Sequence, residues 1–121
     1  MNFDCKMIIT DKIFIDDTQL NWEQVASGVS RKIMVYDDNL MLVKVSFETG
    51  GIGTLHQHFH SQISHVESGV FEVEIGEDKK ILKAGDAFYA PPNVIHGVVC
   101  LEAGVLIDMF SPMRADFITA Q

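Results

Sequence analysis

The sequence predicts an all-β protein, and three features of it support this class. Short runs of β type dominate the chain, turn-forming Gly, Pro, Asp and Asn residues separate them, and helical patterns are sparse. Short strands at this spacing are typical of a β-barrel or a β-sandwich. With 121 residues, 47% hydrophobic and 21% charged, the chain suits one packed domain over residues 1–121.

The strands are predicted one after another, each ended by a turn signal. The clearest is 70–75, in which Phe71 and Val73 alternate with Glu72 and Glu74, and a turn at 76–78 makes a hairpin with 80–82. N-terminal strands are expected within 7–36, and a C-terminal strand and tail within 104–121. The predicted strands are 7–9, 13–15, 33–36, 40–47, 70–75, 80–82, 87–89, 94–96 and 104–110.

One helical turn is predicted over residues 18–25. Asn21 is its expected N-cap, and Gly28 is expected to end it.

The charge and the chain's N-terminal residues exclude several classes of function. Nine Lys and Arg against 17 Asp and Glu give a net charge of −8, which argues against nucleic acid or an anionic membrane as a partner. No apolar run approaches the roughly 20 residues of a membrane span, and residues 1–6 do not resemble a signal peptide. Cys5 and Cys100 are too few for a disulfide scaffold. We therefore expect a soluble, cytoplasmic protein.

The histidines are clustered, since all five lie between positions 56 and 96. Residues two apart on a strand share a face, so a strand would project His56 and His58 side by side. Histidine is the commonest metal ligand near neutral pH. This pair predicts the beginnings of a metal site, although the pair alone also fits exposed polar residues on a strand edge.

Wider spacings resemble the two motifs of the cupin superfamily, G-x5-H-x-H-x3/4-E-x6-G and G-x5-P-x-G-x2-H-x3-N. Residues 50–69 correspond to the first motif and residues 85–100 to the second, so the core motifs span about 50–100. The resemblance implies a small single-domain jelly-roll β-barrel that holds one divalent metal ion. The ligands that it implies are His56, His58, Gln62 and His96.

Gln62 stands where the first cupin motif has Glu. A divalent ion with four neutral ligands keeps a charge of +2, and this charge can polarise a carbonyl or stabilise an enolate. The absence of a carboxylate ligand also departs from the 2-His-1-carboxylate site of many iron oxygenases. Gln62 therefore favours Lewis-acid chemistry, while nickel, zinc, iron, cobalt and manganese all accept this ligand set.

Two further departures from the second motif are milder. Asn93 stands for Gly, and Asn also tolerates a left-handed turn. Cys100 stands for Asn and is interpreted as a small buried residue.

Asp108 is the one charged residue in the apolar run 104–110. It shares a strand face with Phe110, and an ionised Asp facing a barrel interior is costly unless it is paired. Spacing alone favours a structural pair with Arg114 that ties down the tail. The alternative makes Asp108 a proton donor or acceptor, Phe110 a wall for the substrate and Arg114 an anchor for a carboxylate.

Three segments, 56–62, 91–97 and 105–117, look like the small single-domain cupins called KdgF, a family of pectin-degradation proteins. The resemblance covers roughly residues 22–118. It implies a metal-dependent, isomerase-type enzyme that converts 4,5-unsaturated monouronates, small anionic sugars, to the linear keto form 4-deoxy-5-hexosulose uronate. The catalytic group that it implies is Asp108, Phe110 and Arg114.

Two other functions stay open for this sequence. One is a non-catalytic cupin that binds a sugar or organic acid, and the other is an iron-dependent dioxygenase. His60, expected in a turn, is interpreted as lying beside the metal site or facing solvent. His65, where this family commonly has Tyr, is interpreted as an ordinary polar strand residue, and the alternative is that it reaches the cavity mouth. The apolar runs at 7–9 and 13–15 predict a homodimer.

Overall fold

A computed structural model of the chain describes residues 13–119. In this part of the chain all strand pairs are antiparallel, and no helix is long and apolar enough to cross a membrane. The predicted all-β class is confirmed. The elements are a 3₁₀ turn (Asp17–Gln19), β1 (Glu23–Ala26), β2 (Val29–Tyr36), β3 (Met41–Phe47), β4 (Ile52–His56), β5 (Ser61–Ile75), β6 (Asp78–Lys83), β7 (Ala87–Ala90), β8 (His96–Ser111) and α1 (Ala115–Thr119).

The sheet is organised by its two longest strands, β5 and β8, which pair along their length from Ser61↔Ser111 to Ile75↔His96. Each of them changes partner along the way. The first part of β8 pairs with β4 and its second part with β3, while the first part of β5 pairs with β7 and its second part with β6. The main strand order is β1-β2-β3-β8-β5-β6, and the ladder does not close.

Two glycines allow β5 and β8 to bend where they approach closely. The pairing register shifts repeatedly between residues 66 and 71, and bulges of this kind bend a strand. Gly69 has a φ of +84°, and a Cβ on it would lie 2.6 Å from Glu102 O. A Cβ on Gly104 would overlap the backbone of Ser68. A side chain at either glycine would force the two strands apart.

The core lies inside the folded sheet in two adjoining clusters. Phe47 and Phe71 meet edge to face in the larger cluster, with ring centroids 5.2 Å apart. Cys100 is 1% exposed in the same cluster, so the interpretation of it as a small buried residue is confirmed. The smaller cluster consists of Met41, Val43 and Phe110.

The predicted helical turn over 18–25 is wrong. The helical part is the shorter 3₁₀ turn, capped by Asp16, whose Oδ1 accepts a hydrogen bond from Thr18 N at 3.0 Å. Asn21 is not a cap, because the chain turns to strand at Glu23 and pairs with β2. Cross-strand pairing overrides a weak local helical preference here.

Other strand predictions differ from the structure mainly in length. The predicted strands 40–47, 80–82 and 87–89 are confirmed within a few residues, whereas β2 and β5 begin earlier than predicted. The runs 94–96 and 104–110 do not form separate strands. β8 begins at His96 and continues without a break to Ser111, past the positions where its pairing register with β5 shifts. Residues 13–15 form no strand, and the run at 7–9 lies outside the described residues.

Candidate metal centre

Three histidines meet at one end of the paired strands β4 and β8. His56 ends β4, His96 begins β8, and the two are register partners. His56 and His58 lie side by side as predicted, with ring centroids 5.3 Å apart. They are not on one strand, because β4 ends at His56 and His58 lies in the following loop. That loop brings the His58 ring to 4.8 Å from the His96 ring, centroid to centroid. One nitrogen from each of the three rings lies within 4.8 Å of the others, a group that can hold a metal ion.

The backbone orients all three rings in the same way, because each Nδ1 lies within hydrogen-bond distance of a carbonyl oxygen. A neutral ring that donates from Nδ1 carries its lone pair on Nε2, and such contacts commonly orient metal-binding histidines. Burial lowers the pKa of His58 and His96, which favours the neutral ring that a metal requires. The Nδ1 contacts are His56 to Thr54 O (2.8 Å), His58 to His60 O (3.0 Å) and His96 to Val94 O (2.8 Å).

Gln62 of β5 points its side-chain oxygen at the histidines. Its Oε1 lies 3.0 Å from His58 Nε2 and 3.2 Å from His96 Nε2. Its Nε2 donates to Ser64 Oγ at 2.9 Å, so the amide oxygen is the atom that faces the rings. With the Nδ1 atoms donating, lone pairs rather than protons converge on this point. The residues present therefore fit a cation, and all four predicted ligands are brought together.

Asp108 lies on β8, opposite Ser64 of β5. The Ser64 hydroxyl donates to Asp108 Oδ1 at 2.6 Å, and Asp108 as a whole residue is only 8% exposed. Burial raises the pKa of Asp108 to about 6, against the smaller lowering effects of the Ser64 hydrogen bond and the Arg114 charge. The carboxyl is thus linked through Ser64 to Gln62.

Arg114 forms its ion pair with Asp116 rather than with Asp108, which corrects the pairing that spacing alone favoured. Its Nε and Nη2 donate to the two carboxylate oxygens of Asp116 at 3.0 and 2.8 Å. Asp116 lies two residues on, at the start of α1, and so is the nearer acid along the chain. The guanidinium also lies over the rings of Phe110 (5.1 Å) and Phe117 (4.2 Å).

One cavity of about 240 Å³ connects these groups. The predicted ligands His56, Gln62 and His96 line it, together with Asp108, Phe110 and Arg114, and its other walls are mostly apolar. The predicted catalytic group and the histidine cluster therefore share one space. The apolar wall residues include Val25, Val29, Val45, Phe47, Phe88, Val98, Leu106 and Phe117.

Sequence reasoning missed two polar residues of this region, Ser64 and Arg31. Ser64 is fully buried behind Gln62, and Arg31 lines the cavity from β2. A usable signal existed for Arg31. Arg31 shares a strand face with Val29 and Ile33. A charge on an otherwise apolar strand face is the same signal that singled out Asp108.

The two remaining histidines differ in position. His60 is 6% exposed and its ring stacks on that of Phe59 with centroids 4.0 Å apart, so the interpretation of it as facing solvent is wrong. The His60 ring lies beside the His58 ring, as the other interpretation expected. His65 is exposed on the outer side of β5, between the buried Ser64 and Val66. Its interpretation as an ordinary polar strand residue is confirmed, and it does not line the cavity described above.

This strand order and histidine cluster are those of a cupin. The family described as Cupin domain matches residues 43–110, so the chain belongs to the cupin family, and the expected jelly-roll fold is confirmed. Over 109 residues it is 53% identical to the pectin degradation protein KdgF of Dickeya dadantii (strain 3937), covering 88% of this chain and 98% of that protein. Its branch of the cupins is therefore the KdgF family.

Two solved structures are similar to this chain over most of its length. KdgF from Halomonas sp. is 44% identical with a TM-score of 0.85, covering 88% of this chain and 98% of that one. An RmlC-like cupin from Shewanella frigidimarina NCIMB 400 is 42% identical with a TM-score of 0.86, covering 88% and 96%.

Proposed function

We propose that the protein is a metal-dependent enzyme that opens and ketonises 4,5-unsaturated monouronates to 4-deoxy-5-hexosulose uronate. The observation that carries this proposal is the position of Asp108, a buried carboxyl with a pKa of about 6 in the cavity of the histidine cluster. Burying an acid costs free energy, and a raised pKa in a cavity is typical of a group that exchanges a proton during a reaction. The name of the Dickeya relative, a pectin degradation protein, points to substrates of the same origin.

The size and charge of the cavity support a single acidic sugar as the substrate. Its volume of about 240 Å³ is below the roughly 300–1,000 Å³ of pockets for drug-sized ligands. Arg114 lines it, and a planar guanidinium suits a carboxylate. The protein's net charge of −8 does not attract an anion. The positive charge of Arg114 therefore has to attract the substrate's carboxylate.

The metal would be held by His56, His58 and His96, with Gln62 Oε1 as the fourth ligand. When bound, a divalent ion with these neutral ligands supplies a positive charge that stabilises negative charge developing on a substrate oxygen.

The reaction is an isomerisation that needs proton transfer. The ring C1–O5 bond breaks, one proton moves in net terms from the C1 hydroxyl to C4, and the C4=C5 double bond gives way to a C5 carbonyl. Asp108 suits this transfer, since Ser64 binds its Oδ1 and leaves Oδ2 to carry the proton. A carboxyl with a pKa of about 6 can give up a proton and regain it near neutral pH. Phe110 walls the cavity and helps to exclude water.

The direct test couples the purified protein to an oligouronate lyase. The ultraviolet absorbance of the unsaturated product should decay faster with the protein, chelation should abolish the gain, and added divalent metal should restore it. His96→Ala should lose the activity, whereas His65→Ala, which changes an exposed histidine outside the cavity, should keep it. Unchanged decay with metal bound would overturn the proposal. Oxygen uptake with Fe²⁺ instead would favour the dioxygenase.

A further inference from the structure

The cavity holds a second guanidinium besides that of Arg114. Arg31 lies on β2 and lines the cavity next to Val29, and its side chain is 17% exposed. Its cross-strand neighbour on β3 is Val45, another cavity residue. A charge at an inward-facing barrel position costs free energy of desolvation, so its presence calls for a partner inside the cavity.

Both guanidiniums lie on the same aromatic ring. Arg31 Cζ is 4.0 Å from the ring centroid of Phe117, and Arg114 Cζ is 4.2 Å from it. The two cations are therefore no farther apart than these distances combined. The ring quadrupole attracts each of them, yet two positive charges this close repel one another in a partly buried site. An anion between or beside them would relieve that repulsion.

The acids that already pair with these arginines approach from the solvent side. Asp116 and Glu23 have side chains that are 61% and 58% exposed. Asp116 binds Arg114 through two nitrogens, whereas Glu23 Oε1 accepts only from Arg31 Nε, at 3.2 Å. A guanidinium has five N–H donors, and this hydrogen bond uses one of them. Arg31 thus keeps more donor capacity for a ligand than Arg114 does.

We infer that Arg31 is a second anion-recognition residue, which together with Arg114 selects acidic over neutral sugars. The identity of the ligand as a monouronate rests on the proposed function, but the two-cation cavity requires only that the ligand carry a carboxylate. Bidentate contact from the Arg31 fork gives the carboxylate a fixed direction, and this directs the sugar ring toward Asp108 and the histidines.

A purely structural role predicts different behaviour. Arg31 bridges Glu23 of β1 and Phe117 of α1, and in a purely structural role its loss would only loosen these two elements. In that case its substitution would weaken the binding of acidic and neutral sugars alike. Only a contact between Arg31 and the carboxylate makes the substitution weaken the binding of the acidic sugar and not that of the neutral one.

The test compares two probes, galacturonate and its neutral counterpart galactose, by calorimetric titration of the metal-loaded protein. The wild type should prefer galacturonate, and Arg31→Gln should reduce that preference about tenfold or more, the usual effect of losing a hydrogen bond to a charged group. Arg31→Lys keeps the charge but not the fork and should reduce it a few-fold. Lys83→Gln removes the same charge from an exposed position on β6 and should leave the preference unchanged.

Three results would overturn the inference. They are a wild type without preference for galacturonate, an equal loss for both sugars in Arg31→Gln, and an unchanged preference in either Arg31 variant. Arg31→Lys provides the test if Arg31→Gln does not fold. These titrations measure no turnover. A failed lyase-coupled assay would therefore remove the proposed reaction and leave this inference standing, whereas a failed titration would remove this inference and leave the proposed reaction standing.

Discussion

The Ser64 hydroxyl donates a 2.6 Å hydrogen bond to Asp108 Oδ1 across β5 and β8, where the two residues are direct register partners. The same Ser64 oxygen accepts from Gln62 Nε2 at 2.9 Å. A hydroxyl has a single proton, and Ser64 uses it in the hydrogen bond to Asp108. Gln62 therefore has to present its N–H to Ser64 and its Oε1 to the histidines. One serine therefore orients both the oxygen that faces the histidine cluster and the buried carboxyl.

The first prediction concerns Asp108→Asn and turnover. The amide cannot exchange a proton near neutral pH, so kcat in the lyase-coupled assay should fall roughly 10²-fold or more. The variant keeps an oxygen that can accept from Ser64, so galacturonate affinity should change little.

Glu67→Gln serves as the control, since it removes a carboxylate from an exposed position on β5 and should keep full activity. Wild-type turnover in Asp108→Asn would show that another group moves the proton.

The second prediction concerns the same variant and stability. The pKa of Asp108 is raised from 3.8 to about 6 by burial, so the folded protein binds this proton more tightly than the unfolded chain does. The stabilisation from protonated Asp108 is therefore fully present below about pH 4 and is lost as the pH rises to about 6. Each unit of difference between the folded and unfolded pKa corresponds to about 1.4 kcal/mol, so the stability lost is about 3 kcal/mol.

Asp108→Asn lacks this loss and should be more stable than the wild type at pH 7.5, with a smaller difference at pH 4. Urea unfolding of both proteins in the presence of chelator measures the free energy of unfolding at each pH. A difference that does not change with pH would show that the carboxyl titrates normally in the folded state.

The fold could be predicted from sequence where side chains alternate cleanly. Phe71 and Val73 mark β5, and its hairpin with β6 follows from the turn at Gly76. The full lengths of β5 and β8 could not be predicted. Bulges interrupt the pairing, and the inward-facing polar residues Ser64 and Asp108 break the apolar alternation.

The candidate site could be predicted to the extent that it follows a spacing motif. The motif contains His56, His58, Gln62 and His96, and these four do converge. Ser64 belongs to no motif, since its role depends on a strand register that joins it to a residue 44 positions away. Strand register joins these distant residues, and bulges shift the register between β5 and β8, so a local pattern does not give this pairing.

The third prediction concerns Ser64→Ala. The substitution leaves Gln62 Nε2 and Asp108 Oδ1 buried without their partner, which should cost about 1–3 kcal/mol of stability. The Ser64 hydrogen bond lowers the pKa of Asp108, so its loss should move that pKa upward from about 6.

If protonated Asp108 is the proton donor, wild-type kcat should fall as the pH rises through this pKa, and the inflection should move to higher pH in Ser64→Ala. A pH series of kcat measures this, with Ser27→Ala, at an exposed site between β1 and β2, as the control. An inflection at the wild-type pH would show that Ser64 does not act on Asp108.

The fourth prediction concerns Gln62→Glu, which restores the residue type of the cupin motif. A carboxylate lowers the net charge of a divalent site from +2 to +1, so metal affinity should rise roughly tenfold or more by electrostatic attraction. The same charge weakens the Lewis acid, so kcat should fall.

The substitution also disturbs the hydrogen bonds behind the site. A carboxylate has no N–H for Ser64, so the single hydroxyl proton of Ser64 would face two buried acids, and the pKa of Asp108 should rise further. Competition with a chromogenic chelator measures the metal affinity, and the lyase-coupled assay measures kcat at matched metal occupancy. A variant that binds metal more tightly and also turns over faster would contradict the argument that neutral ligands favour this reaction.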